Sequence, residues 1–169
     1  GLDIDIFIPY KEIKRTPFKL ITTASADVAL KGLDYTLKSL FALAKEFPEI
    51  SLLVIGKMKN DGHTSRLIDE LSIQDRVTFK TDLTKEEIAK EYASSSIAIV
   101  SSLYEGFGYP VIEAMSCEIP LIATNTASIP ELVGEFASLV SPKSENELSE
   151  SVKNIFNNYQ EYIKIAESG

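Results

Sequence analysis

Two carboxylates eight residues apart, Glu105 and Glu113, bracket a turn that contains Gly106, Gly108 and Pro110. Glycines let the backbone crowd N–H groups around one point, and apolar spacing after Pro110 makes that point the start of a helix. The first N–H groups of a helix lack partners within it, and the helix dipole is positive there, so anions are attracted. A phosphate on the helix end, beside carboxylates that can accept hydrogen bonds from neutral hydroxyls, describes a site for a sugar joined to a nucleotide. The plainer readings are a solvated loop carboxylate at Glu105 and a dipole-favoured glutamate at Glu113. Three special positions after Glu105 weigh against the first, because they point to a required backbone shape.

Lys31-Gly32 and Gly56-Lys57 each follow an apolar β-type run. A lysine at such a strand end reaches phosphate oxygens, and the adjacent glycine permits close approach. Each pair alone is an ordinary turn with a solvated lysine. Two such pairs, with the glycine-rich turn as a third, form a pattern. His63, the single histidine, lies between Gly62 and Thr64 and reads as a loop residue. The single cysteine, Cys117, lies beside Ala114 and Met115 and reads as core. One histidine and one cysteine cannot assemble a typical zinc cluster, so no metal site is expected.

The elements that would position these groups alternate. Strands are expected over 18–23, 51–56, 76–79, 97–100 and 120–123, with a sixth over 138–140. Helices are expected from Leu33 to Phe47, from Thr64 to Leu71, to Ala93 behind the capping box Thr84-x-x-Glu87, and from Pro110 to Cys117. A last amphipathic helix, capped by Ser144 and Glu147, should run to about Tyr159. The segment up to Pro9 reads as extended, and residues 11–16 as exposed. Alternation with short connections predicts an α/β fold, a doubly wound Rossmann-like parallel sheet with helices on both faces. Ligands in such sheets bind at the carboxyl ends of the strands.

The chain has 169 residues, enough for one α/β core, and 44% hydrophobic content fits a globular domain. The balance of 17 basic and 25 acidic residues, −8 net, argues against non-specific nucleic-acid binding. No apolar run approaches the roughly 20 residues of a membrane span, and no signal peptide is visible. A lone cysteine fits a reducing, cytoplasmic location.

From Ser101 to Glu131 the chain resembles the pattern Pro-Ser-x-x-Glu-Gly-Phe-Gly-x-Pro-x-x-Glu-Ala, followed by Pro-Glu, of retaining glycosyltransferases of family 4 with the two-Rossmann GT-B architecture. The resemblance extends over nearly the whole chain. It implies a donor-binding, C-terminal domain of a hexosyltransferase that takes a nucleoside diphosphate sugar as donor and a hydroxyl acceptor, with no metal or other cofactor. Glu105 would hold the donor hexose and is the catalytic candidate. Lys31, Gly32 and Lys57 would bind the diphosphate. Backbone groups from Gly106 to Val111, with donors at Phe107, Gly108, Tyr109 and Val111, would meet sugar and phosphate oxygens. Glu113 would grip the ribose hydroxyls. The partner implied is the protein's own N-terminal acceptor domain, through which any association with an inner membrane face would arise.

The chain departs from the pattern at several places. Ser101 replaces a usual proline, and no arginine precedes Lys31, where Ser25, Ala29 and Leu30 stand. Glu118, Ala127-Ser128 and Thr81 replace glycines. Two other classes share these features. A nucleotide-sugar epimerase or hydrolase of the same architecture would keep the phosphate and ribose contacts. A non-catalytic α/β binding or regulatory domain would leave Glu105 and the lysines as surface residues.

Overall fold

The computed structural model describes residues 5–104 and 106–169. Six strands form one parallel sheet: β1 Lys19–Thr23, β2 Ser51–Ile55, β3 Val77–Lys80, β4 Ile97–Val100, β5 Leu121–Thr124 and β6 Ala137–Val140. Their spatial order is β3-β2-β1-β4-β5-β6, as in the doubly wound nucleotide-binding folds. Among the described residues, seven α-helices cover the two faces: α1 Leu33–Leu43, α2 His63–Leu71, α3 Lys85–Ser94, α4 Tyr109–Ser116, α5 Ile129–Val133, α6 Glu145–Asn157 and α7 Tyr159–Glu167.

Side chains alternate across a strand, so a central strand covered on both faces must be apolar at every position. In β2, Leu52 and Val54 pack with α1, α2 and α6, while Leu53 and Ile55 pack with α3 and α4. β4 divides in the same way, Ile97 and Ile99 to one side, Ala98 and Val100 to the other. β3 lies at the sheet edge, and only alternate residues are half-buried.

Local signals set most boundaries. Thr84 accepts from the Glu87 N–H at 3.2 Å and its own N–H donates to the Glu87 carboxylate at 2.7 Å, closing the expected capping box. Ser144 caps α6 through the Glu147 N–H, but the Glu147 carboxylate bonds to the Ser141 N–H at 2.7 Å instead. Two helices, α5 and α7, go beyond the expected set, and two readings near the start of the chain do not hold. α6 stops at Asn157, because Asn158 leaves helical geometry and bonds back to the Asn154 carbonyl, and α7 follows as a separate helix. α5, with five residues, is too short to show a helical period. Residues 5–7 form a turn that buries Phe7 against Tyr92, so an extended start does not hold there. Within 11–16, Arg15 is half-buried and donates to the Ser95 and Glu118 carbonyls at 3.0 and 2.7 Å.

The loops at the carboxyl edge are joined backbone to backbone. A Cβ at Gly56, after β2, would lie 2.2 Å from the Ala24 carbonyl oxygen of the β1 loop. A Cβ at Gly32 would lie 2.0 Å from the Ser101 carbonyl oxygen of the β4 loop. The Leu103 N–H donates to the Leu30 carbonyl at 2.8 Å, and Thr126 Oγ1 donates to the Leu103 carbonyl at 3.1 Å. The loops after β2, β1, β4 and β5 thus form one continuous rim.

Gly32 is also left-handed, with φ 64°. The substitution Gly32→Ala should therefore destabilise the domain by more than the roughly 1–2 kcal/mol of left-handed backbone alone. Gly106→Ala, with open space around it, should cost far less. Urea unfolding of the two variants checks the contrast.

Candidate functional site

The strand order reverses between β1 and β4, and a crevice opens there between the loops that leave their carboxyl ends. Residues Ala29–Lys31 make a 3₁₀ turn, and Gly32 both ends that turn and opens α1. Lys31 is half-buried at this corner. Lys57 is exposed, and its carbonyl accepts from the Ala26 N–H at 3.2 Å, which fastens the β2 loop to the β1 loop. Both lysines therefore stand on the same rim. The Ser101 hydroxyl, buried beneath it, lies 3.0 Å from the Gly32 carbonyl oxygen and 3.2 Å from that of Lys31.

Across the crevice, buried Gly108 caps α4 in the left-handed region with φ 68°. The left-handed backbone is what favours glycine at this turn; a Cβ would meet only the end of the partly exposed Leu132 side chain, which can move aside. The N–H groups of Phe107, Gly108 and Tyr109 have no hydrogen-bond partner among the described residues. Val111 differs from expectation. Its N–H donates to the Gly108 carbonyl at 3.0 Å, tightening the first turn, and its side chain is core. Gly106 is exposed, and the Phe107 and Tyr109 rings stack with centroids 5.4 Å apart. Glu105 lies outside the described residues.

Glu113 is the fifth residue of α4, half-buried on its α3 side. Burial pushes its carboxyl up to about 7, against a smaller opposing pull from the Lys85 ammonium. The same carboxylate faces two weak acids. Burial, then Glu113, pushes the Cys117 thiol up to about 12, and both also raise the Tyr92 phenol, which shares a 3.0 Å hydrogen bond with Thr23. Cys117 is completely buried, as expected of a core residue. Glu113 is thus a carboxyl group whose proton affinity is raised by burial.

His63 departs from expectation, since it is the first residue of α2 and its ring lies 2.6 Å from the Asp34 carboxylate. That pair helps line a cavity of about 380 Å³ with Asp27, Leu103 and Lys143. Gly32 is the only expected site residue, among the described residues, that lines this cavity; Lys31, Lys57, the head of α4 and Glu113 lie outside its lining. Among the described residues, no three histidine, cysteine, aspartate or glutamate side chains are grouped to hold a metal ion. No helix among them is long and apolar enough to cross a membrane.

Residues 6–169 match the family described as glycosyl transferases group 1. The chain belongs to that family. It is 35% identical over 172 residues to the MMP alpha-(1->4)-mannosyltransferase of Mycolicibacterium hassiacum, an alignment covering all of this chain and 41% of that protein. The fold matches the C-terminal domain of the group 1 family protein LpcC from Francisella tularensis (TM-score 0.82, 23% identity, 98% of this chain and 93% of that one). It also matches HepE of Anabaena, solved with UDP and glucose (TM-score 0.81, 21% identity, 98% and 48%). The chain is a glycosyltransferase group 1 domain with a GT-B-type α/β fold, and it spans less than half of its 35%-identical relative.

Sequence reasoning did not find Thr36 as a partner of this site, nor Tyr92 behind Glu113. The replacement of proline by Ser101 was the visible signal for the first. Nothing in the local pattern marked the second.

Because the Glu113 pKa is raised in the fold, ionisation opposes folding. The stability it withholds is absent below the unfolded value near 4.5 and grows as pH rises through about 7. Glu113→Gln should therefore gain stability relative to the parent between pH 5 and pH 8. Denaturant unfolding at the two pH values tests this, and an unchanged difference would contradict the buried-carboxylate account.

Proposed function

We propose that this domain is the donor half of a retaining, metal-independent hexosyltransferase that moves a hexose from a nucleoside diphosphate sugar to a hydroxyl acceptor. The observation carrying this reading is the single rim that joins Lys31, Lys57 and the head of α4, whose first N–H groups have no partner among the described residues, with half-buried Glu113 on the same helix. The lysines and the helix head would bind the diphosphate and stabilise charge as it leaves. Glu113 would accept hydrogen bonds from the ribose hydroxyls. Glu105 would hold the hexose in its reactive pose, and Gly32, Gly106 and Gly108 would let backbone approach the ligand. The transition state would resemble an oxocarbenium ion. An N-terminal acceptor domain would close over the open crevice, exclude water and position the acceptor. The relatedness to a mannosyltransferase supports a hexose donor, and a lone buried cysteine supports a cytoplasmic setting.

The 169-residue chain should bind a nucleoside diphosphate with or without a chelator, because the phosphate partners are protein groups. Calorimetry with uridine, guanosine and adenosine diphosphates tests this, and loss of binding in chelator would refute the metal-free reading. Ribose binding needs the ionised form of Glu113. Affinity for the matching nucleotide sugar, whose phosphates do not titrate in this range, should therefore rise with pH up to about 7 and then level. Glu113→Gln should flatten that profile and weaken binding by about 1–3 kcal/mol.

Alone, the chain should transfer no sugar at a useful rate, because orienting an acceptor supplies roughly 7–11 kcal/mol of barrier reduction. Joined to its acceptor domain, it should transfer, and Glu105→Ala should lower kcat more than donor affinity. A donor-consumption assay with product analysis decides. Robust transfer by the 169-residue chain alone would overturn the division of labour.

A further inference from the structure

We infer that Ser101 and Thr36 are positioning residues whose linked hydroxyls set the place of Lys31 against the donor diphosphate. The inference rests on the donor-binding reading above. Ser101 is 5% exposed and Thr36 1%. Thr36 Oγ1, on the first turn of α1, donates to Ser101 Oγ at 2.9 Å. Ser101 Oγ then points its own proton at the carbonyls of Gly32 (3.0 Å) and Lys31 (3.2 Å). The two hydroxyls form a short chain that starts on α1 and ends on the backbone of the corner carrying Lys31.

The location gives the chain of hydroxyls its leverage. At this corner the 3₁₀ turn ends and the backbone turns left-handed, so few repeating hydrogen bonds hold it. The Ser101 backbone also makes the closest approach to Gly32, so one residue braces the corner with both its carbonyl and its hydroxyl. Proline at position 101 would have no hydroxyl, and this chain's serine adds a bond that proline cannot make. Within residues 24–32, Lys31 is the only basic residue, since Ser25, Ala29 and Leu30 stand where an arginine could share the phosphate charge. The one cation of this loop needs its place held closely in a charge-assisted bond, because such bonds weaken steeply with misplacement.

The test compares a nucleoside diphosphate with its own nucleoside on the 169-residue chain, using whichever of the uridine, guanosine and adenosine pairs binds most tightly. Ser101→Ala should weaken diphosphate binding about five- to tenfold, the size of one buried hydrogen bond, and nucleoside binding less than twofold. Thr36→Val should act in the same direction, and Thr36→Ser, which keeps the hydroxyl, should restore the parent's preference. In a Lys31→Ala background, Ser101→Ala should add no further loss, since the group it positions is gone. Equal losses for both ligands, or full additivity with Lys31→Ala, would overturn the inference and leave a purely structural role. If Ser101→Ala does not fold, Thr36→Val and Thr36→Ser decide the question. If the parent binds no nucleoside diphosphate at all, the donor-binding reading fails and this inference fails with it.

Discussion

Two places where backbone meets backbone, Gly56 against Ala24 and Gly32 against Ser101, govern the functional edge of this domain. Each approach leaves no room for a Cβ. The consequence is that the loops after β2, β1 and β4 cannot move independently. They leave neighbouring strands of a rigid parallel sheet and are pinned again a few residues later. A crevice at a strand-order reversal exists in any doubly wound sheet. Here the glycines make its walls one continuous rim, and that is what turns separate lysines and a helix head into a common surface.

The electrostatics of that surface are local. The chain carries −8 overall, yet the loops at the carboxyl edge carry two lysines and the head of α4. A strongly acidic domain can therefore present an anion-receptive edge, because partial charges at a helix end and nearby ammonium groups act over a few ångströms while distant charges are screened. Glu113 contributes the opposite demand. It is a carboxylate kept partly out of water by α3, and burial holds its proton on until near neutral pH. Such a group is improved by any ligand that donates hydrogen bonds to it, since the bonds replace the water that burial removed.

The continuous apolar runs of β2, β4 and β5, the Thr84–Glu87 capping box and the glycine-rich turn before α4 were legible because each is a short-range feature with one physical meaning. α5 escaped because five residues carry no helical period. The break between α6 and α7 escaped because it is made by Asn158 bonding its own preceding turn. Val111 read as a free donor from its place near a helix start, yet a tight first turn engages its N–H with Gly108. His63 read as a loop residue between Gly62 and Thr64, yet Asp27 caps the same helix from the β1 loop through the Thr64 N–H at 2.8 Å and helps to set its first turn.

By itself, the order of residues determined the alternation of strand and helix, the doubly wound sheet, and which loops face the carboxyl edge. Those follow from side-chain period, caps and turn chemistry, all of which act within a few residues. The tertiary structure alone decided that Ser101 reaches Lys31 and Gly32 through some seventy positions of chain, with Thr36 behind it. It alone decided, too, that Glu113 takes its raised proton affinity from burial, against a smaller opposing pull from Lys85, and in turn raises the Tyr92 phenol. The reason is common to both. Hydrogen bonding between loops and desolvation of a carboxylate depend on what packs alongside, and neighbours in space are set by the folded sheet, not by adjacency in the chain.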